Sequence, residues 1–173
     1  MMKFNYIPVK NRSIEKYIDP NKPYWESRYY EVLFDLTITD EYKKIICINY
    51  LEGLEWCWKY YVNDCVDWRW SYKYHYPPLL SDLVKYIPDW KTTFIGKNNN
   101  QPVNTTVQLS YVLPKDCLSF LNTKVFLKLM KDKIKNYDDN CEIHWSFCKY
   151  FWESHPCLPE VDLNELEEYV MGL

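Results

Sequence analysis

The segment YLEGLEWCWKYYVNDCVDWRWSYKYHYPPLLSDL, residues 50–83, is the densest in rings anywhere in the 173-residue chain. It opens as a helix. Tyr50 or Leu51, Leu54, Trp58 and Tyr61 recur at three- and four-residue spacing, with Ile46 and Cys47 ahead of them. That pattern predicts one inward apolar stripe on a long helix. The start falls at Thr37–Asp40, which has the T-x-x-D spacing of a capping box, or at Thr39 with Asp40 and Glu41 after it. The small polar break Asn63-Asp64-Cys65 ends the helix after about 36 Å, at 1.5 Å per residue. Glu55 and Lys59, at i and i+4, form a favourable exposed pair.

Past the break the period changes. Trp68, Trp70, Tyr72, Tyr74 and Tyr76 alternate with Arg69, Ser71, Lys73 and His75. In an extended chain this puts rings on one face and donors or cations on the other. The pattern supports two compatible readings. The rings fill the core beneath the long helix as a buried strand, or some of them stack the bases of a single-stranded nucleic acid while neighbouring cations hold its phosphates.

Outward from this stretch, residues 1–22 are polar, carry Pro8 and Pro20, and read as a loose leader; residues 23–173 read as one domain. WESRYYEVLF at 25–34 fits a short helix or a strand. Leu79, Leu80, Leu83, Val84 and Ile87 predict a second apolar helical face between Pro78 and Pro88. Residues 95–104 read as a surface loop. Thr105 or Thr106 caps a short helix, VQLSYVL. A helix at 122–135 turns Val125, Phe126, Leu129 and Met130 inward, CEIHW is one short strand, and a last helix from Asp162 buries Leu163, Leu166 and Val170. The expected fold class is mostly α with a small β component.

Composition narrows the function classes. The chain is 47% apolar and 26% charged, which suits a folded protein. A net charge of -3 supplies no global attraction for nucleic acid, so any such binding needs a local patch. Aromatics reach 18%, with 17 Tyr and 8 Trp, so many rings must sit half-buried or meet a ligand. Seven cysteines, no CxxC pair and a polar N-terminus point to a reduced, intracellular setting, cytoplasmic rather than nuclear, with no membrane partner.

Self-contained catalytic chemistry is weakly represented. Cys141, His144, Cys148, His155 and Cys157 offer soft ligands, but their spacing matches no common zinc finger. A two-metal nuclease needs carboxylates converging on ions; past the helix the aromatic region offers Asp64, Asp67 and Asp82, while Glu52 and Glu55 sit on the helix and are expected to face solvent. Neither a G-x-S-x-G nor a P-loop motif is present.

The 50–83 segment resembles a signature of the XRN family of 5′-3′ exoribonucleases. That signature reads roughly Y-x-x-G-L-x-W-x-x-x-Y-Y, then S-W-x-W-Y-x-P-Y-H-Y-A-P-x-x-S-D. The matching positions are Tyr50, Gly53, Leu54, Trp56, Tyr60, Tyr61, Cys65, Trp68, Trp70, Tyr72, Tyr74, His75, Tyr76, Pro78, Ser81 and Asp82. WESRYY, QPVNTTVQLSYVLP, NTKVFLKLM, YDDNCEIHW and CLPEVDLNEL extend the likeness over roughly residues 23–169. Val66-Asp67, Lys73 and Pro77 depart from the pattern.

The resemblance implies an XRN-type helical domain that helps shape the pocket where an RNA 5′ end stacks. It implies that the magnesium-binding acids belong to an N-terminal nuclease region with no counterpart here, residues 1–22 being too short to hold it. On that basis no cofactor is expected in this chain. RNA and an N-terminal nuclease polypeptide are the expected partners. Trp68, Trp70, Tyr72, Tyr74, His75 and Arg28 are the expected RNA contacts, and no residue is expected to be catalytic. The alternative is a non-catalytic RNA- or protein-interaction module that kept the same fold.

Overall fold

The computed structural model describes residues 12–88, 91–137 and 142–172. Among them the fold is mostly α with one two-stranded β pair, as the sequence predicts. Where the sequence reads as one domain, two compact units form. The first joins the chain up to Asn100 with Trp145–Glu153, and the second joins Gln101–His144 with Ser154 onward. The division falls inside the polar 95–104 loop because each side closes its own hydrophobic cluster.

The first unit holds α1 (Ser13–Ile18), α2 (Trp25–Phe34), α3 (Asp40–Val62) and α4 (Leu80–Leu83), the last extended by a 3-10 turn to Tyr86. α1 corrects the loose-leader reading for the described part of residues 1–22. Its Ile14 and Ile18, one helical turn apart, pack with Tyr29, Tyr30 and Ile46, and Ile18 is fully buried. α2 settles the helix-or-strand ambiguity as a helix with Tyr29 and Tyr30 inward. α3 starts at Thr39, whose side chain accepts from the Tyr42 N–H at 3.3 Å. The apolar face predicted beyond Pro78 is shorter than expected. Leu83 is buried and Leu79 packs on the cluster, while Leu80, Val84 and Ile87 face outward.

Two tyrosines of α2 pin the segment on the C-terminal side of the aromatic run. Tyr29 Oη donates to the Pro77 carbonyl at 2.9 Å. Tyr30 Oη donates to Asp82 at 2.9 Å and accepts from the Leu79 N–H at 3.0 Å. A buried phenol needs such partners, and here they staple both ends of Pro77–Asp82 to α2.

The second unit holds α5 (Thr105–Val112), α6 (Thr123–Asp132) and α7 (Leu163–Met171), with α5 against α7. Asn104, not Thr105 or Thr106, caps α5. Asn122 and Asp162 cap α6 and α7. Val107, Leu118, Leu121, Val125, Leu129, Leu166 and Val170 form the core. Each large apolar side chain buried there contributes about 1.5–3 kcal/mol. The predicted CEIHW strand is real over Ile143–His144 (β1) and pairs antiparallel with His155–Pro156 (β2).

Candidate nucleic-acid interface

α3 buries the start of the predicted stripe, Ile46 and Cys47, together with Asn49, and then departs from it. Farther along that side the helix has Gly53, where an added β-carbon would lie 2.6 Å from Cη2 of Trp70. The missing side chain is what admits the indole. Trp70 then stacks on Trp56 at 6.1 Å between centroids, and Trp56 stacks on Tyr60 at 5.2 Å and 7°. Leu54, Trp58 and Tyr61, expected inside, are exposed, Trp58 at 68% and Tyr61 at 85%.

The run Trp68–Tyr76 makes no β ladder. Its alternation is nonetheless real from Trp70 onward: Trp70, Tyr72, Tyr74 and Tyr76 turn inward, and Ser71, Lys73 and His75 are exposed. Contacts with the helices replace strand pairing. Tyr72 lies edge-on to Tyr50 at 5.7 Å, and its hydroxyl donates to the Tyr76 carbonyl at 2.8 Å. Tyr74 packs on Phe34 at 5.5 Å. The Lys73 N–H donates to Asn49 Oδ1 at 3.0 Å. Burial raises the Tyr72 and Tyr74 phenols above their ordinary pKa. Trp70, Tyr72 and Tyr74, expected as RNA contacts, are thus half-buried rings with packing partners on the helices.

Trp68 is the exception. Of the rings from Trp68 to Tyr76 it alone is exposed, at 45%. Its loop is clamped. The Trp68 N–H donates to Asn100 Oδ1 at 2.9 Å, and Asn100 Nδ2 donates to Asp67 at 2.5 Å. Asp67 also accepts from Asn98 at 3.3 Å and the Arg69 N–H at 2.7 Å, and its carbonyl accepts from Trp56 Nε1 at 2.8 Å. Burial would raise the Asp67 carboxyl, but the Asn100, Arg69 and Asn98 donors outweigh it and hold it below its ordinary value. The 94–100 loop is fastened in turn by Glu55, which accepts from the Phe94 N–H at 2.6 Å, and by Lys59, which donates to the Ile95 carbonyl at 2.7 Å. An open recess of about 510 Å³ lies between this loop, Trp70, Asp67 and Glu52. The sequence reads 95–104 as plain surface; the Asn98 and Asn100 amides opposite Asp67 were the available signal.

The remaining candidates separate. His75 is exposed on the outer side of the run. Arg28 is committed to backbone. Its guanidinium donates to the carbonyls of Tyr17 (2.9 Å), Ile18 (2.7 Å) and Pro23 (2.8 Å). It fastens the α1–α2 turn, with its donors on backbone carbonyls there.

Asp64, Asp67 and Asp82 are each engaged. Asp82 is buried between Lys85 at 2.7 Å, Lys43 at 3.5 Å and the Tyr30 hydroxyl. Burial acts to raise its carboxyl, but Lys85, Tyr30 and Lys43 prevail and hold it below the ordinary value. Asp67 is saturated by amides, and Asp64 accepts from the Cys65 N–H. Among the described residues no three His, Cys, Asp or Glu side chains gather as metal ligands. Cys141 lies outside the described residues, His144 pairs with His155 across β1–β2, and Cys148 is buried and hydrogen-bonded to the Glu153 carbonyl. Burial, with Asp82 nearby, pushes the Cys47 thiol up to about 11, which removes it as a nucleophile. No described helix is long and apolar enough to cross a membrane.

The fold and its clamped tryptophan define a helical, ring-bearing module. Residues 17–173 match the family described as the Xrn1 helical domain, and the chain belongs to that family. It is 33% identical over 147 residues to 5′-3′ exoribonuclease 2 of Gallus gallus, covering 82% of this chain and 15% of that protein. It is 33% identical over 151 residues to 5′-3′ exoribonuclease 2 of Schizosaccharomyces pombe (84% and 15%). It is 32% identical over 147 residues to the 5′-3′ exoribonuclease 2 homolog of Drosophila melanogaster (82% and 16%). The chain thus spans about 15% of the length of these curated relatives.

Proposed function

We propose that this chain is the helical module of an XRN-type 5′-3′ exoribonuclease, that Trp68 stacks a base at the 5′ end of an RNA, and that cleavage is done by a separate nuclease region carrying the magnesium acids. The observation that carries the reading is Trp68 itself. A large ring is held outward on a loop fixed by at least four hydrogen bonds, while its neighbours in the run are packed away. Ordering is thus settled before binding, which is what a stacking platform requires.

The exposed side of α3 supports the partner. Leu54, Trp58, Tyr61 and Val62 are rows of one helix face turned to solvent. Contiguous apolar surface of this kind marks an interaction site, and the relatives are several times longer than this chain. The nuclease region is the occupant proposed for that face, and the cytoplasm is the proposed compartment.

Fluorescence anisotropy with a short RNA tests the reading. The chain binds 5′-monophosphorylated RNA, and Trp68→Ala weakens binding about ten-fold. Unchanged affinity in that variant rejects Trp68 as the stacking ring.

A further inference from the structure

The turn Trp145–Glu153 belongs to the first unit and inverts the usual rule of burial. Small Ser146 and Cys148 are buried, while Phe147, Tyr150, Phe151 and Trp152 are exposed, Trp152 at 76%. The turn is nevertheless firmly built. Glu153 accepts from the Lys149 and Tyr150 N–H groups at 2.6 and 3.0 Å. Phe147 sits at φ 61°, a left-handed conformation unusual for a ring-bearing residue, and its N–H donates to Glu15 of α1 at 2.9 Å.

Two features give this surface a chemistry. Tyr150 and Trp152 stack face to face, 4.5 Å between centroids and 9° between planes, with Lys149 Nζ 5.0 Å from the Tyr150 centroid. The acids nearby are engaged: Glu153 on the turn's own amides, Glu15 on the Phe147 N–H and on Arg12 at 3.3 Å. Parallel exposed rings with Lys149 beside them are the footprint of a single-stranded nucleic-acid platform, in which bases extend the stack and the cation meets phosphate.

We propose that the 147–152 turn is a second RNA contact, taking bases downstream of the 5′-terminal nucleotide. The proposal rests on the reading of this chain as an RNA-binding module. A protein would use the same rings through their apolar area, but the cation beside a parallel stack favours RNA over a purely apolar mate.

Photo-crosslinking of the full chain to single-stranded RNA decamers tests it. Each decamer carries a 5′-monophosphate and one 4-thiouridine, either at the 5′ end or inside, and crosslinked peptides are mapped by mass spectrometry. Internal 4-thiouridine should crosslink within residues 147–152. Trp152→Ala and Lys149→Glu, on exposed side chains, should each weaken RNA binding about ten-fold and remove those crosslinks while leaving the ones at Trp68. Crosslinks at Trp68 with none at 147–152 overturn this proposal and leave the 5′-end reading standing. Crosslinks at 147–152 with none at Trp68 do the reverse. Absence of both removes both. Variants that keep full RNA affinity but fail to capture the nuclease region overturn the proposal by making the turn a protein-docking surface.

Discussion

The Trp70 indole occupies the space a side chain at Gly53 would need: a β-carbon there would stand 2.6 Å from Cη2. Alanine ordinarily improves a helix interior over glycine by about 1 kcal/mol. Here the ring is backed by its stack on Trp56 and cannot yield cheaply. Gly53→Ala should therefore destabilise by about 1–2 kcal/mol, as overpacking outweighs propensity. Urea denaturation measures it, and a stabilised variant would show that Trp70 moves aside freely.

Arg28 predicts a stability effect and no direct RNA effect. A lysine carries the charge but cannot reproduce the planar fork that reaches the carbonyls of Tyr17, Ile18 and Pro23. Arg28→Lys should cost about 1–3 kcal/mol, with RNA affinity of the folded variant unchanged. Melting and anisotropy on the same preparation separate the two.

Asp82 predicts an acid limb. Its folded pKa is depressed below the ordinary 3.8 despite burial. Its contribution is complete above that ordinary value and is lost as pH falls through the lower folded one. At neutral pH, Asp82→Asn should cost about 2–4 kcal/mol, since Lys43 and Lys85 lose their counter-charge. The gap from wild type should narrow as pH falls below the ordinary 3.8 and through the lower folded value. A gap that stays constant with pH would place the cost in packing instead.

The outward face of α3 predicts a docking effect separable from stability. Trp58→Lys and Tyr61→Lys replace exposed rings, so the isolated chain should melt within about 0.5 kcal/mol of wild type. Capture of the nuclease region should fall at least ten-fold for the pair. Pull-down titration reads this, and retained capture would assign the face to another purpose.

Much of the fold is legible from spacing and caps. Thr39 and Asp162 mark true helix starts, and Leu166 and Val170 are core as their spacing predicts. Ile46 and Cys47 of α3 are inside as expected, but the orientation of its second half is not legible, because both faces there carry rings and periodicity counts rings without telling which side is roofed. Gly53 held that information. The alternation from Trp70 to Tyr76 is likewise genuine yet is enforced by side chains against helices, so period two did not mean a strand. α1 escaped notice because polar residues surround Ile14 and Ile18, and two isoleucines one turn apart suffice once Tyr29 and Tyr30 cover them. At the site, the aromatic run was visible, but only tertiary contacts single out Trp68. The Asp67–Asn100 clamp joins positions far apart in the chain.

The most direct test is an exonuclease assay on 5′-monophosphorylated RNA with magnesium, run on the pure chain, on an XRN-type N-terminal nuclease region, and on the two mixed. The account predicts no degradation by this chain alone and a gain in 5′-3′ degradation on mixing that Trp68→Ala reduces. Magnesium-dependent degradation by the chain alone, or no gain on mixing, would contradict it.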